Sequence, residues 1–210
     1  MSWAELFSRK ENAIGEVTGV DAGRIEIFVY PECYPRIRVG SIIATNSEEI
    51  KPVGLVIRMA HRPRHGQIQP LRKTRSEILR SYPDIDKYHR FVSTIAYTSH
   101  VRGDKLFHVR ASMPRLHDLA FLVEIEDLLD AFFRPYGRWN FEFLRYFLME
   151  GGGALELREL FFTHRNYFLS KSDDLKDIVE ALAVALYKAG VRGNLARYIE
   201  DVLEILGEGQ

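Results

Sequence analysis

The chain has 210 residues, of which 46% are hydrophobic, and its 29 Lys and Arg are balanced by 29 Asp and Glu. This length allows one large domain or two small ones, with enough apolar residues for a sizeable core. The single cysteine, Cys33, excludes an intrachain disulfide and a metal site built from several thiolates.

The sequence shows neither a signal peptide nor a membrane-spanning segment. Residues 1–13 lack the basic start, apolar run and small-residue cleavage site of a secretory signal. No apolar run approaches the ~18 residues that a membrane helix needs. We therefore expect a cytoplasmic protein that does not contact a membrane.

The neutral total charge hides an asymmetry along the chain. Residues 1–115 hold 19 Lys and Arg against 12 Asp and Glu, a net charge of about +7, and residues 116–210 hold the remaining 10 and 17, about −7. Segments of opposite sign attract each other or orient a protein on a partner. The sequence leaves both interpretations open.

Short apolar segments separated by turn residues fill the first part of the chain. We predict strands at residues 13–20, 24–30, 41–45 and 53–59, because β-branched residues alternate there between glycine- and proline-containing turns. Four strands in so few residues, with glycines at the corners, favour a closed barrel. A hairpin at 91–101 and 105–111 and a strand at 116–123 follow. The basic excursion 58–90 includes a helix predicted to start with a capping box of Thr74 and Glu77.

From residue 124 onward the periodicity is helical. Apolar residues at i, i+3, i+4 and i+7 predict a helix over 125–132, and further helices are predicted at 141–149, 155–162, 173–190 and from 195 onward. The sequence thus predicts an α+β protein. We expect a small antiparallel β-barrel over residues 1–123, followed by an all-helical domain over 124–210.

The glycine-containing strands resemble those of a known barrel. The matching segments are Ile14-Gly15-Glu16-Val17, residues 25–29, Val39-Gly40-Ser41-Ile42-Ile43 and Val53-Gly54-Leu55-Val56. The chain resembles the HerA–ATP synthase barrel, which precedes the motor domain of HerA-type DNA translocases and opens rotary ATP synthase subunits. The resemblance covers about half of the chain.

The nucleotide-binding motif of those proteins is missing. No segment fits G-x-x-x-x-G-K-[ST], and Gly151-Gly152-Gly153 is followed by Ala154-Leu155-Glu156. We therefore expect no ATP hydrolysis, no cofactor and no enzymatic activity. The resemblance implies the barrel's other role, which is self-association or docking to a protein partner. The implied partner is a HerA-type, DNA-processing ring ATPase.

Two segments are candidate binding sites. The basic segment 58–80 suggests nucleic-acid contact as the alternative function, although its arginines could instead pair with the acidic half. The loop 134–141 suggests a protein partner, because Trp, Tyr and Arg are enriched in binding hot spots, although it could simply be a packed hinge. The candidate nucleic-acid residues are Arg62, Arg64, Arg72, Lys73 and Arg75, and the candidate partner-binding residues are Arg134, Tyr136, Arg138 and Trp139.

No histidine cluster predicts a metal site. His61 and His65 are four residues apart, but Pro63 between them prevents the shared helix face that a zinc pair needs. His100 and His108 are predicted to face each other across the hairpin. Neither pair has a carboxylate or cysteine at a metal-ligand spacing. We expect no metal and no catalytic residue.

Overall fold

The computed structural model describes residues 1–63, 74–83, 89–171 and 175–207. Its strands are β1 (Gly15–Asp21), β2 (Arg24–Val29), β3 (Ile42–Thr45), β4 (Ile50–Pro63), β5 (His89–Arg102), β6 (Lys105–Phe107) and β7 (Leu119–Leu122). Its helices are α1 (Trp3–Ser8), α2 (Arg75–Ser81), α3 (Glu126–Phe133), α4 (Leu144–Met149), α5 (Ala154–Thr163), α6 (Arg165–Leu169), α7 (Leu175–Lys188) and α8 (Leu195–Gly207). Within these residues, no helix is long and apolar enough to cross a membrane.

Six of the strands close into an antiparallel barrel, in the order β1, β2, β5, β4, β3 and β7, and β7 pairs back to β1. The closure removes sheet edges, which would otherwise expose unpaired backbone groups. The predicted antiparallel barrel is therefore confirmed. Strand β6 is shorter than predicted and pairs only with β5, outside the ring. His100 lies opposite Phe107, and His108 is the first residue after the end of β6, so the two histidines predicted as cross-strand neighbours are not directly paired.

The barrel interior is filled mainly by β-branched and aliphatic side chains. Alternate residues of β2, such as Ile25, Ile27 and Val29, point inward and are buried, which confirms the alternation read from the sequence. Inward residues from the other strands complete this cluster, namely Val17, Ile43, Val56, Ile95, Tyr97, Ala120 and Leu122.

The helices cover one side of the barrel's outer wall. Strand β3 is buried on both faces, because Ile42 and Ala44 pack outward against the helices while Ile43 points inward. The N-terminal helix α1 joins the same layer, where Phe7 packs edge-on against Phe121 of β7 at 5.6 Å. One hydrophobic cluster thus runs from the barrel wall into the helices. The α+β class is confirmed, and the division into domains at residue 123 stays a prediction.

Ion pairs join the basic and acidic segments. Arg36 pairs with Glu124 at 2.8 Å, and Glu150 forms ion pairs with both Arg110, at 2.8 Å, and Arg24, at 3.4 Å. Glu150 follows α4, whereas its two arginine partners lie in the barrel half. Part of the opposite charge of the two segments is therefore matched within the molecule.

Candidate functional site

The loop after α3 has an unusual backbone. Pro135 cannot continue a helix, and α3 ends at Phe133, two residues before it. A single 3-10 turn follows, in which Tyr136 has a φ of 63° and Gly137 a φ of 75°. A non-glycine residue in this left-handed region is uncommon and costs about 1–2 kcal/mol. The turn presents the Tyr136 side chain to solvent, and 85% of it is exposed.

Trp139 anchors this loop to the helical layer. Its ring stacks parallel to Phe141 at 6.1 Å and lies 5.8 Å from Phe168, and the Arg134 guanidinium sits 5.1 Å from its centre. The backbone N–H of Asn140 donates to the Phe133 carbonyl at 2.8 Å, which closes the loop. The loop packs on helices through Trp139, while Tyr136 and Arg138 face solvent.

Helix α7 forms the opposite wall of a groove. The space between the loop and this helix measures about 1160 Å³. Its floor includes the buried Phe141 and Ala185, and Val184 of α7 is exposed at its side. The structure therefore places all four predicted partner-binding residues at one groove. The α7 residues that line it are Asp177, Glu180, Ala181, Val184, Ala185 and Lys188.

Both walls of the groove carry charged residues, with the arginines on the loop side and two acidic residues on α7. Arg134 and Arg138 lie on the loop side, and Asp177 and Glu180 lie on α7. Lys188 approaches Glu142 at 3.7 Å at another point of the lining. Because both signs surround an apolar floor, the groove suits a protein segment with an apolar anchor and flanking charges better than a bare anion. The α7 wall was not predicted from the sequence, where its signal is an exposed valine, Val184, on the polar face of an amphipathic helix.

A buried serine–histidine pair lies elsewhere, between the barrel and α3. Ser99 Oγ is 2.8 Å from His108 Nδ1, and His108 Nε2 donates to the Phe132 carbonyl at 2.9 Å. A carbonyl oxygen only accepts, so the Nε2 proton is fixed and Ser99 donates to Nδ1. Both side chains are buried, and burial lowers the pKa of His108 to about 4. The pair is enclosed in packed protein, where it satisfies the polar groups of the core.

The basic segment is described only in part. Arg62 is exposed at the end of β4 and pairs with Glu26 at 3.3 Å. Arg75 opens α2, whose predicted capping box of Thr74 and Glu77 is confirmed. Arg64, Arg72 and Lys73 lie outside the described residues.

Three rings stack where this segment leaves the barrel. Tyr34 lies 4.2 Å from Phe91, and His61 stacks on Phe91 at 4.4 Å. His61 lies within the basic segment 58–80, which contains no Phe, Tyr or Trp, and the fold brings Tyr34 and Phe91 to it from other parts of the chain. No group of three His, Cys, Asp or Glu side chains is placed to hold a metal ion in the described part of the chain.

Comparison of the chain with models of known protein families finds no match, and a search of curated proteins finds no significant relative. The candidate sites are therefore supported by their geometry.

Proposed function

We propose that this protein is a non-catalytic interaction module that binds a partner protein in the groove between residues 134–142 and α7. The observation that carries the proposal is Tyr136, an aromatic side chain that is 85% exposed and held at the rim by a left-handed backbone. Backbone strain of this kind clusters at functional sites. The all-helical domain predicted over residues 124–210 supplies the groove in this proposal.

The composition of the groove matches that of a binding hot spot. Tyrosine, tryptophan and arginine dominate the energetics of protein interfaces, and Tyr136, Arg138 and Trp139 lie within four residues. Trp139 is already immobilised by Phe141 and Arg134, so it loses little conformational entropy on binding. A partner would mainly have to order Tyr136 and Arg138.

The charges of the walls define the chemistry of the partner. A segment that fits would place an apolar side chain on Phe141 and Ala185, and basic side chains against Asp177 and Glu180. The resemblance of the barrel suggests where such a segment belongs, namely in a HerA-type ring ATPase that processes DNA. In this proposal the chain is an accessory to that ring, and the ring carries out ATP hydrolysis.

Site-specific photocrosslinking tests the groove. A benzophenone amino acid replaces Tyr136 in one variant and Tyr82, which is also exposed, in a matched control. We expect a defined protein adduct at position 136 in the native host, none at 82, and loss of the adduct when Asp177 and Glu180 are changed to Lys. Mass spectrometry of the adduct should identify a basic-flanked apolar segment. Equal adducts at both positions, or none at 136, would overturn the proposal.

Light scattering at low and high salt separates self-association from binding to another protein. A ring-sized assembly that persists in the Asp177→Lys, Glu180→Lys variant would mean that the barrel assembles independently of the groove. A monomer at both salt concentrations would exclude self-association, and the crosslinked adduct at position 136 would then be the test of the proposed function.

The ring stack of Tyr34, Phe91 and His61 favours a second candidate function, which is binding of single-stranded nucleic acid by the basic segment. Bases stack on aromatic rings while Lys and Arg contact phosphates. Binding of a single-stranded oligonucleotide should weaken steeply with salt and be lost when Arg62, Arg64, Arg72 and Lys73 are changed to Gln. Salt-independent binding, or none, would remove this candidate.

A further inference from the structure

A separate cavity of about 370 Å³ lies where the turn before β3 meets the corner between α5 and α6. Two hydrogen bonds tie these parts together. Thr163 Oγ1 donates to the Val39 carbonyl at 3.0 Å, and His164 Nε2 donates to the Gly40 carbonyl at 3.2 Å. The volume falls within the range of about 300–1,000 Å³ typical of small-molecule sites. The lining consists of Pro35, Arg36, Arg38, Ser41, Leu122, Glu124, Leu129, Thr163, His164, Asn166 and Tyr167.

The cavity carries one uncompensated positive charge. Arg36 is paired with Glu124 at 2.8 Å across the lining. Arg38 is exposed, and its guanidinium forms no ion pair with any of the residues that the structure describes. A guanidinium presents a fork of donors that matches the two oxygens of a carboxylate or phosphate. The charge therefore selects an anion.

Part of the inner surface of the cavity is apolar. Leu122, Leu129 and Tyr167 are all buried. The Tyr167 hydroxyl already donates to Asp130 Oδ1 at 2.7 Å, so tyrosine contributes its ring to the wall. An inorganic ion would leave these surfaces uncovered, whereas an organic acid would cover them with its hydrocarbon body.

His164 adds a hydrogen-bond acceptor to the lining of the cavity. Because the Gly40 carbonyl only accepts, His164 carries its proton on Nε2. Burial lowers the pKa of His164 to about 4, so the ring is neutral at pH 7 and Nδ1 keeps its lone pair. Nδ1 has no hydrogen-bond partner among the described residues. It can accept from a hydroxyl or an N–H of a bound molecule.

We propose that this cavity binds a small organic acid whose carboxylate or phosphate pairs with Arg38, whose body contacts Leu122 and Leu129, and whose hydroxyl donates to His164. The site is distinct from the protein-binding groove, and it does not depend on the function proposed for that groove. Carboxylates and phosphates share the chemistry that Arg38 recognises, so the experiment uses one probe of each kind.

Isothermal titration calorimetry at neutral pH measures binding of 4-hydroxybenzoate and of phenyl phosphate. We expect at least one of them to bind at millimolar concentrations. Arg38→Gln should weaken that binding by about tenfold or more, as expected for loss of a charge-assisted hydrogen bond. Arg58→Gln, which removes an exposed arginine of β4 from outside the cavity lining, is the matched control and should leave binding unchanged.

A second variant tests the location without touching the core. Asn166 is exposed and lines the cavity, so Asn166→Trp should obstruct the cavity while the protein stays folded, as checked by circular dichroism. Binding of 4-hydroxybenzoate alone identifies a carboxylate site, and binding of phenyl phosphate alone identifies a phosphate site. Failure of both probes, binding that survives Arg38→Gln, or equally tight binding of uncharged phenol would overturn the proposal.

Discussion

The barrel interior is packed by different kinds of side chain from those in the helical layer, which consists of α1 and of helices α3 to α8. Inside the barrel the side chains are mostly isoleucine and valine, whose branched Cβ suits the regular spacing of strands. Between the barrel and the short helices, aromatic rings fill the space, with Phe133 in contact with rings from α3, α6 and the segment before α4. The regular strands of the barrel are packed by aliphatic side chains of similar size. The irregular junctions between the barrel and the helices depend instead on a few large aromatic rings.

The comparison predicts that removing one large ring between the barrel and the helices costs more stability than removing one methyl group from the barrel interior. Phe133→Ala removes a fully buried ring that packs on Phe143, Tyr167 and Phe168, so we expect a loss of about 3–5 kcal/mol in the free energy of unfolding. Ile27→Val removes one methyl group from the barrel interior and should cost about 0.5–1.5 kcal/mol. Urea denaturation followed by circular dichroism measures both values.

Two spectroscopic signals follow the unfolding of different parts of the molecule. Fluorescence of the two tryptophans, Trp3 and Trp139, reports on the core cluster between the barrel and the helices, because Trp3 is part of that cluster and Trp139 packs against it. Far-ultraviolet circular dichroism reports on the whole fold. Coincident transitions would indicate that barrel and helices unfold together. If Phe133→Ala lowered the free energy of unfolding by no more than Ile27→Val does, the Phe133 ring would contribute no more to stability than one methyl group of the barrel interior.

The junction between the two regions depends on a glycine. Gly40 has a φ of +87°, and a Cβ at this position would lie 2.5 Å from the Leu160 backbone of α5. Gly40→Ala therefore combines backbone strain with a collision that no side-chain rotation relieves, and we expect a loss of about 2–4 kcal/mol.

Gly103 provides the matched control for Gly40. It also has a positive φ, of +60°, but a Cβ there would meet nothing within 4 Å. Gly103→Ala should cost only the strain, about 1 kcal/mol. Thermal unfolding of both variants separates the two contributions. Equal losses would mean that the close approach of the turn to α5 contributes nothing to stability.

The same contrast explains which features the sequence could predict. The alternation of Ile25, Ile27 and Val29 is a local pattern, and it predicted a strand that the structure confirms. Tyr136 and Val184 line the same groove although they are far apart in the sequence. The residues next to each of them do not predict that α7 packs beside the loop. The stack of Tyr34 on Phe91 likewise follows from the closure of β2 onto β5. Local periodicity predicts elements, whereas sites built from distant segments require the tertiary structure.

Buried histidines give the helical layer a pH dependence. Burial lowers the pKa of both His108 and His164 from 6.5 to about 4, and both rings lie against Phe132 or Phe133. Between pH 6.5 and 4 the unfolded chain binds protons that the folded chain does not, so the free energy of unfolding falls as the pH falls. Each histidine should lower the free energy of unfolding by about 1.4 kcal/mol for every pH unit that the pH falls within that window. Above pH 6.5 both states are neutral at this residue, and the histidine causes no such loss.

Substitution by glutamine isolates this effect from the titration of carboxylates, which is common to all variants. Gln reaches about as far as Nε2 and can still donate to the Gly40 carbonyl, so His164→Gln keeps the hydrogen bond while removing the titrating group. We expect the variant to be less stable than the parent at pH 7.5 but to lose stability more slowly as the pH falls toward 4. A slope identical to that of the parent protein would mean that His164 binds a proton in the folded state as readily as in the unfolded chain. In that case a protonated imidazole would lie beside Phe133 at low pH, and this junction would not be as apolar as the burial of His164 indicates.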